Sequence, residues 1–191
     1  MKALAIRLAL LATFTCTVVL GLAACTASYK QRETAGLEAS SVRLDASKNV
    51  FVSVSPDGQY GSKTYPGTGR TVAQKTAAAF SRYVRRVEVG GGPASSRDEL
   101  LAAARNAGAG YLVIPSITHW EQRATEWSGI PSRVSMSLTV VDTQTGAEVR
   151  SALLESRSAV MTMIRPNPDN LAQEMIDQQV SAFYGVQNLN Q

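Results

Sequence analysis

Val134-Ser135-Met136-Ser137-Leu138-Thr139-Val140-Val141-Asp142-Thr143-Gln144-Thr145-Gly146 is the stretch whose reading decides the fold. Val134, Met136, Leu138 and Val140 alternate with Ser135, Ser137 and Thr139. That period of two marks a strand with one buried face. Asp142 to Gly146 carries the residues of a hairpin turn, and Val149 to Ser158 pairs back as the next strand. Strands joined this tightly run antiparallel.

Upstream the pattern changes. Tyr111-Leu112-Val113-Ile114 is the densest strand signal and runs on through Ile117 and Trp120. A helix precedes it: Ser96 is its N-cap, Glu99 stands at the capping-box position, and Leu100, Leu101, Ala104 and Ala107 form its apolar stripe. Gly108 and Gly110 end it. Before that helix, Val84, Val87 and Val89 suggest a short strand broken by Gly90-Gly91-Gly92-Pro93. An earlier helix is opened by Thr71, with Gln74 as its capping-box partner and Val72, Thr76, Ala79, Phe80 and Tyr83 at helical spacing. Val50, Val52 and Val54 alternate with Phe51 and Ser53, so the first strand is apolar on both faces and buried until Pro56-Asp57-Gly58 stops it. The glycine-rich run that follows, up to Gly69, reads as a flexible loop. Downstream, Asn167 caps a last helix with Pro168 in its first position, and Gly185 ends it.

Strand–helix–strand units join parallel neighbours through right-handed crossovers, whereas the later meander is antiparallel. The expected fold class is therefore α/β (α+β): a single mixed sheet in β-α-β-α-β-β-β-α order, with helices packed on the sheet.

The other informative stretch lies near the start. Lys2 and Arg7 precede an apolar run from Leu8 to Leu22, and the run ends in Leu22-Ala23-Ala24-Cys25. A basic head, an apolar segment and small residues at a cleavage point make a secretory signal. The run is short for a membrane span. A cysteine directly after Leu-Ala-Ala resembles the lipobox of bacterial lipoproteins, in which Cys25 receives diacylglycerol on its sulfur and the chain is cut just before it. Leu22 fills an apolar subsite of the peptidase, and Ala23 and Ala24 let the backbone enter. The expected organisation is a signal peptide over 1–24, a lipid-anchored polar tether over 25–48, part of which adds an edge segment, and a single periplasmic domain over 49–191.

Cleavage leaves 167 of the 191 residues, enough for one domain with a proper core. Lys2 and Arg7 leave with the signal, so 17 Lys and Arg face 15 Asp and Glu and the formal charge falls from +4 to about +2. That excess is too weak to point to nucleic acid. Cys16 is discarded and Cys25 is the anchor, so the mature domain has no disulfide, no thiol nucleophile and no cysteine metal site. No cofactor is expected beyond the covalent diacylglycerol and N-acyl lipid on Cys25. In lipoproteins of this kind, Asp after the cysteine goes with retention in the inner membrane. Thr26 in that position implies the outer membrane, facing the periplasm.

Ala107 through Ile114, the Val140–Gly146 hairpin and the final helix together resemble the periplasmic domain shared by the curli-secretion lipoprotein family and the amino-terminal domain of TolB. His119-Trp120-Glu121 through Trp127-Ser128-Gly129-Ile130-Pro131 resembles a family of Gram-negative lipoproteins known only as a domain of unknown function. The resemblance brings no activity with it. The chain lacks a hairpin of alternating apolar residues to cross a membrane, so a secretion-pore role does not carry over.

The tract from His119 to Trp127 holds the only histidine and both tryptophans. If the strand extends to Glu121, His119 and Glu121 share a face, two residues apart. One histidine with carboxylates such as Glu126 is a poor zinc set, so no metal is expected. Acid–base work by Glu121 and His119 is chemically feasible, but no nucleophile stands at a recognisable spacing and no Gly-x-Ser-x-Gly elbow is present. The bland reading is a strand end whose tryptophans cover the sheet edge or stack on a loop. Between these readings lies an interaction surface of His119, Trp120, Glu121, Arg123, Glu126 and Trp127, able to stack on a sugar or seat a side chain. Gly67-Thr68-Gly69-Arg70-Thr71 faintly suggests a phosphate cradle but lacks the Walker spacing. Arg82, Arg85 and Arg86 cluster at a helix end, where cations suit the dipole or meet anionic headgroups.

The expected function is thus a non-enzymatic, outer-membrane-anchored periplasmic lipoprotein for protein–protein interaction or envelope assembly. The alternatives are an anchored module for a small ligand or cell-wall glycan, using the Trp120–Trp127 region, and, last, an unrecognised hydrolase. The expected partners are the membrane, through the lipid, and an envelope protein or glycan.

Overall fold

A strand that is apolar on both faces needs cover on both sides, and the chain supplies it by sending successive crossovers to opposite faces of one sheet. The computed structural model describes residues 28–33, 43–94, 96–122, 131–158 and 168–186. Its elements are β1 (Ser28–Glu33), β2 (Val50–Val52), β3 (Gln59–Tyr60), β4 (Lys63–Thr64), α1 (Thr68–Phe80), β5 (Val87–Val89), α2 (Arg97–Asn106), β6 (Tyr111–Glu121), β7 (Arg133–Asp142), β8 (Glu148–Arg157) and α3 (Pro168–Phe183). The main sheet is ordered β1-β8-β7-β6-β2-β5, and β3 and β4 form a separate hairpin. β2 pairs parallel with β5 and with β6, while β6, β7, β8 and β1 pair antiparallel in turn. From β2 the chain moves outward to β5 through α1, then back across β2 to β6 through α2. Two right-handed crossovers in opposite directions must use opposite faces.

The two faces bury different sets. Val50, Val52, Val113, Val134, Met136, Leu138, Val140 and Leu154 meet Val72 and Phe80 of α1 and Met175, Ile176 and Phe183 of α3. Phe51, Leu112 and Val141 meet Leu101 and Ala104 of α2 on the other side. The alternation read in β7 puts its four even-numbered apolar side chains on the α1/α3 face, all fully buried. Each such side chain contributes about 1.5–3 kcal/mol relative to exposure.

The ends of the elements follow local chemistry. Ser96 accepts the Glu99 N–H at 3.2 Å and caps α2. Asp142 Oδ1 accepts the N–H groups of Gln144 and Thr145, and Gly146 takes a φ of 72° to close the β7–β8 turn. Gly185, at φ 72°, terminates α3. Asn167, the expected cap of α3, lies outside the described residues, and α3 is described from Pro168 onward.

Three local readings are corrected. The first is the start of α1. It begins at Thr68, not Thr71, and no side chain of the capping-box kind holds it; Gln74 is exposed on its surface. The second is the supposed flexible glycine loop, which is ordered. It forms the β3–β4 hairpin, and Gly69 is packed so closely that a Cβ there would stand 2.1 Å from the Ser55 carbonyl oxygen. The third concerns one residue of the tether over 25–48: the edge segment expected there is Ser28–Glu33, paired with β8, but Leu44 is buried in the core with its N–H bonded to the Phe183 carbonyl.

Candidate functional site

The far half of β6 holds the residues singled out from sequence, and a bulge decides where they point. Ile117 pairs with Met136 and His119 pairs with Ser135, so Thr118 is an extra residue in β6. One extra residue reverses the alternation beyond it. Trp120 therefore joins Val113 and Ile117 on the α1/α3 face, and His119 and Glu121 face the other way.

Trp120 is 2% exposed and part of the main core. Its indole is seated by the β3–β4 hairpin: a Cβ on Gly58 would come within 2.6 Å of Trp120 Cβ. A buried ring offers no face for stacking on a sugar. This corrects the place of Trp120 in the interaction surface, and the cause is the bulge. Arg123, Glu126 and Trp127 lie outside the described residues.

His119 and Glu121 are brought together, with Nε2 and Oε2 3.1 Å apart. Glu121 is largely buried, and the His119 side chain keeps about a quarter of its surface. The Tyr60 ring meets the imidazole edge-on, with centroids 5.1 Å apart and planes at 72°. The Gln122 N–H donates to the Tyr65 hydroxyl at 3.3 Å. The hairpin thus clamps the end of β6 from the side that β2 leaves free.

Gly67 and Gly69 do present backbone N–H groups at the start of a helix, but the chain fills the place itself. Asp57 Oδ2 accepts from Gly67 N–H at 3.0 Å, and Oδ1 accepts from Gly69 N–H at 2.9 Å. Its carboxylate satisfies orphan donors at the positive end of the dipole. Thr68 Oγ1 donates to the Tyr65 carbonyl and accepts from Gly58 N–H, each at 2.8 Å. The cradle is a cap. Arg70 turns away from it and donates to the carbonyls of Gly90 and Gly91.

A second polar cluster, not read from sequence, lies at the opposite end of the sheet. Lys48 Nζ meets Asp142 Oδ2 at 2.7 Å and sits 4.8 Å from the Tyr111 ring centroid. The Lys48 ammonium and the turn N–H groups hold the Asp142 carboxyl below the usual carboxylate range, and the same contact raises Lys48. The two residues are 94 positions apart, beyond any motif. Nearby, the Tyr184 ring stacks on Tyr83 at 4.6 Å, and burial pushes its hydroxyl well above the ordinary tyrosine value. Two of the three clustered arginines are paired locally: Arg82 meets Asp177 at 3.1 Å and Arg86 meets Glu88 at 3.0 Å, both exposed pairs. Such pairs contribute little.

A family model described as Domain of unknown function (DUF4823) matches residues 42–182. No curated protein matches the chain. Among solved structures, the PelC dodecamer from Paraburkholderia phytofirmans is similar with a TM-score of 0.59 at 16% identity, covering 84% of this chain and all of that one. A point variant of the same dodecamer gives a TM-score of 0.60 at 17% identity, with 81% and 98% covered. A lipoprotein from Neisseria meningitidis gives 0.40 at 15% identity, with 62% and 86% covered. At these identities the likeness to PelC speaks for the fold alone.

Proposed function

The chain belongs to the family described as Domain of unknown function (DUF4823), and on that premise we propose that it is a lipid-anchored envelope protein whose domain serves assembly rather than catalysis. The observation that carries this reading is Leu22-Ala23-Ala24-Cys25, set three residues ahead of the first strand of the fold. Cys25 is the only cysteine after the signal, so its sulfur has no competing disulfide. A triacylated cysteine holds a domain at a bilayer through many buried methylenes, at about 0.8 kcal/mol each. Thr26 directs the reading to the outer membrane, with the domain facing the periplasm.

The non-enzymatic part rests on how the candidate groups are used. Glu121 holds the ring of His119, Tyr60 closes over that ring, and Trp120 fills the core. Each serves the joint between hairpin and sheet. The glycan-binding alternative loses one of its two stacking rings by the same fact. Assembly is the role we favour for a tethered domain, and PelC, a protein of similar fold, forms a dodecamer.

The test is a Cys25→Ser variant expressed in its own envelope. The native chain is expected in the membrane fraction with a lipidated amino terminus, and the variant in the soluble fraction. In-cell crosslinking of the native chain is then expected to capture a defined partner or further copies of the chain. Membrane retention of the variant through a lipid would overturn the reading.

A further inference from the structure

The register of β1 places the start of the fold, next to Cys25, at one end of the sheet. Ser28 pairs with Arg157, Arg157 pairs with Arg133, and Arg133 pairs with Glu121. The first residue of β1 therefore stands at the same end of the sheet as the end of β6, the start of β7 and the end of β8. Three peptide steps separate Cys25 from Ser28, and they span at most about 11 Å. Asp142, Gly146 and Lys48 mark the other end, nine residues along β7 from Arg133, which is about 30 Å along the strand. A lipid on Cys25 cannot leave both ends equally free.

The near end also carries the charge that suits a bilayer. Arg133 and Arg157 are direct cross-strand partners, an unfavourable placement for like charges unless something anionic meets them. Arg157 is exposed and Arg133 partly so. Among the described residues neither forms an ion pair with a carboxylate. Glu121 opposes Arg133 on one side but is turned to His119, and the other neighbour of Arg157 is Ser28. Glu155, one rung inward on the face of Arg157, lies opposite Lys30.

We infer that the sheet end bearing Arg133 and Arg157 is a membrane-docking surface that meets anionic lipid headgroups, with the Asp142–Gly146 turn pointing away from the bilayer. The inference rests on lipidation of Cys25. Cationic side chains near such a surface add attraction that falls off within a Debye length. The short leash supplies the rest by keeping the arginines at high local concentration beside the headgroups.

The experiment uses the full lipidated chain in vesicles of phosphatidylethanolamine and phosphatidylglycerol. Because the thioether occupies the sulfur of Cys25, an introduced cysteine is the only thiol. A polarity-sensitive fluorophore is placed at Gln122→Cys, exposed at the near end, or at Gln144→Cys, exposed in the far turn. Brominated lipid is expected to quench the Gln122 label severalfold more than the Gln144 label. Combining Gln122→Cys with Arg133→Ser and Arg157→Ser is expected to lose most of that quenching, as is replacing phosphatidylglycerol by phosphatidylcholine. Equal quenching at both sites, or stronger quenching at Gln144, would overturn the orientation. Quenching at Gln122 that ignores both arginines and lipid charge would overturn their role. Mass spectrometry of the same preparation keeps the premise separate: an unmodified Cys25 refutes the anchor, whereas a lipidated chain with no near-end quenching refutes the docking surface.

Discussion

Replacing Trp120 by alanine separates a core residue from a contact residue. The side chain is 2% exposed, shares a cluster with Ile117, Val134 and Met136, and lies against the backbone of Gly58. Removing an indole from such a site forfeits its transfer free energy and leaves a cavity, at a cost of about 3–5 kcal/mol. For a domain of this size each kcal/mol lowers the melting temperature by roughly 3–4 °C, so Trp120→Ala is expected to lower it by about 10–20 °C. Trp120→Phe fills part of the space and is expected to cost about half as much. The assay is thermal and urea unfolding of the soluble Cys25→Ser chain followed by far-ultraviolet circular dichroism, with the two variants compared in that background. An unchanged midpoint for Trp120→Ala, combined with loss of a crosslinked partner, would refute the placement of this ring and restore it to the surface.

Other perturbations test other joints. Asp57→Ala removes the carboxylate that accepts two N–H groups at the start of α1 and is expected to cost about 1–2 kcal/mol in urea unfolding, with Asp57→Asn milder. Gly69→Ala drives a methyl into the Ser55 carbonyl and is expected to destabilise more than the loss of that cap, whereas an alanine at the exposed Gly91 meets nothing within 4 Å and is expected to be near neutral. Asp142 has its carboxyl held down chiefly by Lys48, so the native state binds fewer protons than the unfolded chain. Its contribution is complete above the ordinary carboxylate value and is lost as pH falls through the lowered one. Unfolding free energy is therefore expected to drop in acid below about pH 4, with a shallower drop in Asp142→Asn. Tyr184→Phe deletes a buried hydroxyl with no hydrogen-bond partner among the described residues and is expected to be neutral or stabilising by differential scanning calorimetry.

The fold was legible where local signals and burial agree. The alternation in β7, the Ser96–Glu99 cap and the Asp142–Gly146 turn are written within a few residues of where they act, so element order and sheet type could be read from them. The features that shape the candidate site act over longer range. β1 reads Ser-Tyr-Lys-Gln-Arg-Glu, with no apolar alternation, because an edge strand paired on one side needs none. Asp57 caps a helix from ten residues upstream, and Lys48 meets a carboxylate 94 positions further along the chain. Most telling is Thr118. One unpaired residue in β6 turns Trp120 inward and His119 outward, and neither residue type announces a bulge. The pairing of His119 with Glu121 survived that shift because both lie beyond it.

The central claim is the anchor, and mass spectrometry of the amino-terminal peptide from membrane-extracted protein tests it most directly. The account predicts a chain that begins at Cys25, with diacylglycerol on the sulfur and an acyl group on the amine. A chain that keeps residues 1–24, or one that begins elsewhere with an unmodified Cys25, would contradict it.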